Sequence, residues 1–357
     1  GCDMIRLLLV MLLAATVGTA VATPSARLSA LADDGILIED IGGDGMWPAL
    51  IGHHGPLKAL TMANRDDEAF LALEARRDFG AGVMGRVHFE TMNQIRSGQP
   101  RIQLQGAKGF GPLTLGLGWG YDGPLEDRDT ALSSRTGQLG ARWIIAARTV
   151  VDGTVERGAW RPGSREVADA AVSRWRVRGH HQVNDHVVFV VAVARDDSEA
   201  APASDMVYNS SRTLFNNAEH LETGLILWPD KDSQITLSWL ERTVHDVVLT
   251  HAGDFGWSHH DRWTEHGLHL SVEVRPSAWF TLRMGFEYLR PTNDAVVADG
   301  SAVRFDGSTS LGLGSTVHLG ETDLGLSWSS GRAADGRQGS GHGLDLQAFV
   351  MDIVTHF

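Results

Sequence analysis

Charged side chains recur at alternate positions in several stretches of the sequence, and these residues have the clearest capacity for chemistry. Arg174, Arg176 and Arg178, for example, alternate with Trp175 and Val177. Because side chains on a β-strand point to opposite faces in turn, the three arginines would form a positive stripe on one face. In the lumen of a channel, such a stripe opposite acidic groups sets a transverse field that orders polar solutes and biases ion choice.

The same alternation marks a larger set of candidate lumen-lining residues, each on the polar face of a strand. They are Arg86, His88, Glu90, Arg142, Arg174, Arg176, Arg178, Glu222, His269, Glu273, Arg275, Arg283, Glu287, Asp323 and Asp352. Two interpretations stay open. The charges line a conducting lumen, or they form internal ion pairs that brace a filled barrel with no open path.

Other kinds of site are less well supported. Histidines and carboxylates are scattered through the polar stretch 243–264, and together they can bind zinc or copper. Their spacing matches no closed metal site, so we expect no metal and no cofactor.

Asn209-Ser210-Ser211 offers a serine beside an asparagine, but no histidine lies on a matching strand face to complete a triad. Asp196-Asp197 and His260-Asp261 resemble protease carboxylate and Asp-His pairs, yet such pairs are common in polar loops. We expect no enzymatic activity.

Short strands with one apolar face would position the charged residues. In Trp279–Leu289, large apolar residues occupy every second position, with Arg283 and Glu287 on the opposite face. Sixteen strands are predicted, at 57–63, 67–76, 80–90, 100–108, 111–121, 136–147, 151–160, 169–178, 185–195, 219–228, 233–242, 265–275, 278–289, 308–319, 322–328 and 343–357. The first two are the weakest, and fourteen is the alternative count. The strand Val187–Ala194 is apolar on both faces and gives no lumen side.

The predicted connections alternate between short turns and long polar loops. Short turns fall near 79, 108, 149, 180, 229, 276 and 320, and longer loops at 91–99, 122–135, 160–168, 196–218, 243–264, 290–307 and 329–342. This alternation is typical of transmembrane β-barrels, with the short turns in the periplasm. A β-sandwich also gives each strand one apolar face. The barrel is favoured because the apolar faces end in aromatics, as membrane-interface girdles do, and because charges lie at strand centres.

The last nine residues, Phe349–Phe357, form an alternating strand that ends on an aromatic residue. Such an ending resembles bacterial outer-membrane β-barrel proteins, whose assembly machinery reads a final strand of this kind. The resemblance implies that Phe349, Met351, Ile353 and Phe357 are an assembly signal. Residues 344–348 carry apolar side chains on the opposite parity. We therefore expect either a bulge near 347–349 or a membrane-spanning part that starts only at Ala348.

The N-terminal residues predict export. A positive residue, Arg6, precedes an apolar run from Leu7, and Ala20-Val21-Ala22 is a small-x-small cleavage site. We assign 1–22 as a signal peptide and expect a mature chain without cysteine. No later apolar run reaches the length of a transmembrane helix, so a membrane role requires a barrel. The net charge of −13 gives no support for nucleic-acid binding.

A segment that is not strand-like follows the signal. Ala26-Arg27-Leu28 leads through Asp33-Asp34 to Trp47-Pro48-Ala49 and then into the first strand. This order resembles the N-terminal segment of the fatty-acid-transporter-like outer-membrane family, in which an Asn-Pro-Ala turn stands where this chain has Trp-Pro-Ala. The resemblance implies that residues 23–55 plug the lumen or lie at its periplasmic mouth. An ordinary surface loop with a short helix is the alternative.

Together these features predict an all-β fold, a transmembrane antiparallel β-barrel of about 16 strands over 56–357, in the outer membrane of a Gram-negative bacterium. The function expected is a porin-like channel or small-solute transporter with a mixed-charge lumen. The alternative is a non-conducting scaffold barrel that holds a partner protein of a secretion, surface or electron-conduit complex. The other expected partners are outer-membrane lipid and the barrel-assembly machinery.

Overall fold

The structure is a computed structural model that describes residues 27, 31, 46–53, 55–65, 68–93, 100–122, 133–161, 167–202, 210–252, 255–291, 295–296, 302–303, 308–333 and 344–357. The predicted signal peptide and most of the predicted 23–55 segment lie outside these residues. Across the described ranges, no helix is long and apolar enough to cross a membrane.

Sixteen strands close into one antiparallel barrel. They are β1 (Leu57–Arg65), β2 (Glu68–Asp78), β3 (Val83–Asn93), β4 (Pro100–Phe110), β5 (Leu113–Asp122), β6 (Ser133–Ala146), β7 (Thr149–Arg161), β8 (Val167–Asn184), β9 (Val187–Pro202), β10 (Ser210–Asp230), β11 (Ser233–Ala252), β12 (Phe255–Ser277), β13 (Phe280–Pro291), β16 (Ser308–Leu319), β17 (Thr322–Ala333) and β18 (Leu344–His356). A separate two-stranded ribbon, β14 (Ala295–Val296) with β15 (Ala302–Val303), lies between β13 and β16. The predicted fold and strand number are confirmed.

The first and last strands close the barrel. β1 pairs with β18 in continuous register from Leu57 opposite His356 to Arg65 opposite Ala348. On its other side β18 pairs with β17 from Leu344 to Thr355 without a register shift. The predicted bulge near 347–349 is therefore wrong. Pairing with β1 begins only at Ala348, because β1 ends at Arg65.

The two faces of the barrel wall reverse the usual distribution of polar and apolar side chains. On β2, Leu71 and Leu73 are 39% and 48% exposed, whereas the alternating Glu74 and Arg76 are only 8% and 3% exposed. The strand alternation thus turns the charged residues into the barrel and the apolar residues outward. This is the arrangement of a barrel whose outer face meets lipid.

The predicted long loops at 196–218 and 243–264 are wrong for most of their length. β9 and β10 remain paired as far as Ala200 opposite Leu214, and β11 and β12 pair out to Ala252 opposite Phe255. These strands reach 16 to 23 residues, although about 9–11 residues cross a membrane. Polar residues interrupt the apolar alternation in the outer parts of these strands, so the sequence pattern indicated loops there.

The turn predicted near His180 is also misplaced. His180 and His181 lie within β8, opposite Val150 and Thr149 of β7. The chain turns later, at 185–186, where the His186 amide donates to the Asn184 side chain over 2.8 Å. This turn contains neither Pro nor Gly, which are the usual sequence signals of a turn. The sequence therefore did not mark its position, and the turn was predicted too early.

Residues Met46–His53 lie inside the barrel and form one 3-10 turn, Pro48–Leu50. Met46, Trp47 and Leu50 pack on Val190 and Ala192 of β9 and on Ile226 of β10. Ile51 packs on Met84 of β3 and Ala107 of β4. We call Met46–His53 the interior segment. It explains why β9 is apolar on both faces, because its inner face is covered by protein.

Glycines on the inner face provide the space for the interior segment. A β-carbon on Gly116 of β5 would collide with the backbone of Pro48 and Ala49. A β-carbon on Gly140 of β6 would lie 2.9 Å from the Pro48 ring. Gly116, Gly118 and Gly120 alternate along β5 and so share one strand face, and their lack of side chains leaves room inside the barrel.

Candidate functional site in the barrel interior

A continuous chain of side-chain contacts runs round the inner wall from β2 to β9. Glu74 accepts hydrogen bonds from Arg76 and Arg86, each over 2.6 Å. Arg86 also donates to Gln105 over 2.9 Å. The chain continues through contacts of 3.1 Å, from Gln105 to Gln138, Gln138 to Glu156, and Glu156 to Arg174. Arg176 lies 3.9 Å from Glu156 and donates to Asp196 over 3.3 Å, which carries the chain to β9.

The step from Gln105 to Gln138 crosses a whole strand. Gln105 lies on β4 and Gln138 on β6, with Gly118 of β5 paired to both. A β-carbon on Gly118 would lie 2.5 Å from the Gln138 side-chain oxygen. The glycine therefore allows two side chains on non-adjacent strands to meet above it.

His88 and its neighbours extend this ionic wall over β3 and β4. The two ring nitrogens of His88 lie 3.3 Å from Glu74 and 3.5 Å from Glu90. Arg101 of β4 lies 3.4 Å from Glu90. All four residues have side chains at most 14% exposed, so their charges are compensated within the wall.

A second ionic group contacts the interior segment. Asp152 of β7 accepts hydrogen bonds from Arg142 over 3.2 Å and from Arg178 over 3.0 Å. The Arg178 guanidinium carbon stands 4.7 Å from the centroid of the Trp47 ring, within the range of a cation–π contact. The ring of the interior segment is thus fixed against the most buried arginine of the predicted stripe.

The opposite side of the barrel binds earlier residues of the chain. Glu273 of β12 accepts hydrogen bonds from Arg283 of β13 and, over 2.9 Å, from Arg27. The His269 ring lies 2.7 Å from the Leu31 carbonyl oxygen. Gly285 has no β-carbon, and one would collide with the Leu31 backbone. Arg27 and Leu31 therefore lie inside the barrel as well.

The remaining predicted lumen residues have varied settings. Asp323 lies 2.7 Å from His318 and 3.6 Å from His356 at the short-turn end, and Glu222 accepts a hydrogen bond from Ser238. Asp352 is buried and Glu287 half-buried. Arg275 differs from all of them. It is exposed near the end of β12, where the register with β13 shifts, and donates to the Ala278 carbonyl over 2.6 Å.

Several residues of the site were missed by sequence reasoning. They are Glu74, Arg76, Arg101, Gln103, Gln105, Gln138, Asp152, Glu156 and Asp196. The same period-two alternation marks most of them, since Glu74 and Arg76 share a parity opposite Leu71 and Leu73. Their partners could not be assigned because strand register is required to bring two distant positions together.

Charge is distributed unevenly around the interior. In the ion pairs of β2–β9, arginines outnumber carboxylates: Arg76, Arg86, Arg101, Arg142, Arg174, Arg176 and Arg178 face Glu74, Glu90, Asp152, Glu156 and Asp196. On β10–β18 the inward positions carry Glu222, Glu273, Glu287, Asp323 and Asp352 together with Arg283. The β2–β9 side of the interior is therefore arginine-rich, and the β10–β18 side is carboxylate-rich. In the described part of the chain, no group of three metal-ligating side chains is assembled.

Comparison with known proteins identifies the fold. No protein-family model and no curated protein sequence matches the chain. A solved mutant of the monoaromatic hydrocarbon channel TodX is similar at a TM-score of 0.55 and 10% identity, over 94% of this chain and 99% of that one. A bacterial polysaccharide outer-membrane secretin is similar at a TM-score of 0.55 and 12% identity, over 85% and 99%. The fold is that of outer-membrane β-barrels. At this identity the likeness concerns the fold alone.

Proposed function

We propose that the protein is an outer-membrane channel for small polar or charged solutes, and that the interior segment controls the passage of these solutes. The observation that carries the proposal is the ionic inner wall of a closed sixteen-strand barrel. Barrels of this size are too wide for wall side chains alone to fill. The similarity of the fold to known channels supports the same general class.

The inner surface favours polar solutes over hydrocarbons. The wall from β2 to β9 is covered by Arg, Glu, Gln and His side chains that form mutual contacts. The apolar inner patch of Val190, Ala192 and Ile226 is covered by Met46 and Trp47. A hydrocarbon would therefore replace an apolar contact that the protein already makes, whereas a polar solute can exchange hydrogen bonds with the wall.

The second candidate is the non-conducting scaffold barrel. It is favoured by the same interior segment, because Trp47, Leu50 and Ile51 are at most 2% exposed. An interior that stays filled would leave the barrel to serve as a holder for a partner protein. The two candidates differ in whether the filled state permits solute flux.

Solute flux into proteoliposomes separates them. The channel predicts that purified protein admits small polar and charged solutes with a sharp size limit, and that excess unlabelled polar solute slows the entry of labelled solute. Protein-free liposomes and liposomes with heat-denatured protein are the controls. No flux from folded protein, together with a stoichiometric co-purifying partner, would establish the scaffold and overturn the channel.

A further inference from the structure

The short-turn rim carries a group of cations that faces away from the lumen. Lys58 of β1, Arg77 of β2 and Lys108 of β4 lie on the outward parity of their strands, opposite the buried Leu57, Arg76 and Ala107. The chain contains three lysines, and the third, Lys231, is also at a short turn. In a protein with a net charge of −13, this placement concentrates positive charge at one height on the outer surface.

Lys58, Arg77 and Lys108 each lie beside an exposed aromatic ring. The Lys58 nitrogen is 4.9 Å from the centroid of Phe357, and the Lys108 nitrogen is 5.4 Å from that of Phe110. The Arg77 guanidinium carbon is 6.0 Å from the centroid of Phe79. The three rings are 53% to 66% exposed. We call these six residues, on the sector from β18 through β1 to β4, the basic–aromatic sector.

The chemistry of this sector matches a membrane interface. Aromatic rings favour the level of lipid headgroups, and lysine and arginine extend their charged ends towards them over an apolar stem. Among the described carboxylates at this rim, Asp78 accepts the Gly80 amide over 2.7 Å, and Glu321 lies in the β16–β17 turn. Neither lies on the outward face of β1, β2 or β4, so the positive charge faces outward.

An apolar groove lies above the sector on the same outer surface. It has a volume of about 580 Å³ and is lined by Met62 of β1, Leu313 of β16, Leu326 of β17, and Phe349 and Met351 of β18. Sites for small ligands have volumes of roughly 300–1,000 Å³. Met62 is four residues along β1 from Lys58, so at about 3.4 Å per residue and a tilt near 40° the groove begins about 10 Å above that lysine. One leaflet of hydrocarbon is about 15 Å deep, so an acyl chain whose headgroup is at Lys58 reaches the groove.

We propose that this surface binds an anionic phospholipid, with the phosphate at the basic–aromatic sector and an acyl chain in the groove. The proposal rests on the membrane location in the proposed function but not on conduction. Each basic residue near an anionic lipid surface contributes about fivefold to the affinity. The cations are spread over several strands, so we expect an overall preference for anionic over zwitterionic lipid of about tenfold.

Trp328 provides a local probe, because it also lines the groove. The protein is reconstituted into bilayers of dioleoylphosphatidylcholine and dioleoylphosphatidylglycerol, with bromine on the chains of one lipid at a time. The Trp328→Phe difference isolates the Trp328 signal from the other tryptophans. Brominated phosphatidylglycerol should quench this signal at about one-tenth of the mole fraction that brominated phosphatidylcholine needs. Added inorganic phosphate should leave the difference unchanged.

Two charge variants test the location. The sector variant, Lys58→Gln, Arg77→Gln and Lys108→Gln, should make the two lipids quench equally. The matched control, Arg148→Gln, Lys231→Gln and Arg275→Gln, removes three exposed cations at or beside other short turns and should keep the tenfold difference. Heat-modifiable gel migration verifies that both variants are folded, and unchanged solute flux separates this test from that of the proposed function.

Three outcomes would overturn the proposal. The first is equal quenching by the two lipids in the unmodified protein. The second is an equal loss of preference in both variants, which would assign the effect to the charge of the whole rim. The third is an unchanged lipid preference in the sector variant, together with the loss of an acidic periplasmic protein that co-purifies with the unmodified barrel. That result would show that the sector is a contact surface for a protein.

Discussion

At the residue scale, absent side chains shape the interior as much as charged ones do. Gly116 and Gly140 admit the backbone of the interior segment, and Gly118 lets Gln105 meet Gln138 across β5. These positions are specified by contacts between parts of the chain that are far apart in sequence. The alternate spacing of the β5 glycines places them on one strand face, but the sequence alone does not show which residues occupy the space beside them.

Gly116→Val should displace the interior segment, because the new side chain would occupy the position of the Pro48 and Ala49 backbone. The predicted mature chain has no cysteine, so Ala49→Cys provides a unique label site. We expect a water-soluble maleimide to label this cysteine slowly in the parent protein and at least tenfold faster with Gly116→Val.

Gly153→Val is the matched control for that substitution. Gly153 lies on β7 with open space around its position, on the outward parity beside the exposed Val155. Labelling of Ala49→Cys should stay slow in this background. Equal labelling rates with Gly116→Val and Gly153→Val would show that the glycine does not seat the segment.

Glu74→Gln should destabilise the barrel. Glu74 accepts hydrogen bonds from two fully buried arginine side chains, and removing one partner of a buried ionic group costs about 3–5 kcal/mol because charge is left uncompensated. Equilibrium urea unfolding in detergent, followed by tryptophan fluorescence, measures the loss.

Glu219→Gln tests whether burial is the cause. Glu219 pairs with Arg195 over 3.1 Å, but their side chains are 62% and 40% exposed, and exposed pairs contribute at most about 1 kcal/mol. If the two glutamine variants lose similar stability, the inner wall is solvated and its ion pairs are not structural.

At the element scale, the pattern of apolar residues located all sixteen strands in their lipid-facing parts, and failed where the strands extend beyond those parts. Residues 243–252 and 255–264 pair in register across β11 and β12, but His and Asp residues interrupt their apolar alternation. The ion pairs inside the barrel could not be predicted from the sequence either. Arg142 and Asp152 lie directly opposite each other on β6 and β7, and only the register reveals it.

The closing strand β18 gives a prediction about assembly. The Phe357 amide lies 3.3 Å from the Pro56 carbonyl at the seam, and the ring is 66% exposed on the outer face. Phe357→Ala should reduce the fraction of protein that reaches the outer membrane in folded form by about tenfold, as measured by heat-modifiable migration of membrane fractions. Phe110→Ala is the control, since Phe110 is 53% exposed at the same rim on an internal strand. If both variants assemble equally well, the assembly signal does not lie at Phe357 in the last strand.

At the scale of the whole molecule, the barrel wall has an apolar outer face suited to lipid and an ionic inner face. Its outer face exposes Leu73, Val87, Leu139 and Leu268 to about half of their surface, as a lipid-facing belt does. Its inner face is ionic and arginine-rich on one side. The interior segment makes an apolar contact with β9 and β10 and a cation–π contact with Arg178 of β8, and Arg27 pairs with Glu273 of β12. A displaced segment would leave a charged lumen open between them.

Single-channel conductance in a planar bilayer tests this account most directly. Each recording compares the unsubstituted protein with its Gly116→Val and Gly153→Val variants, all verified as folded. We predict small or brief currents from the unsubstituted protein and from Gly153→Val, and steady currents at least several-fold larger from Gly116→Val. If the folded Gly116→Val protein is silent while Ala49→Cys labelling shows the interior segment displaced, the barrel is not a channel controlled by that segment.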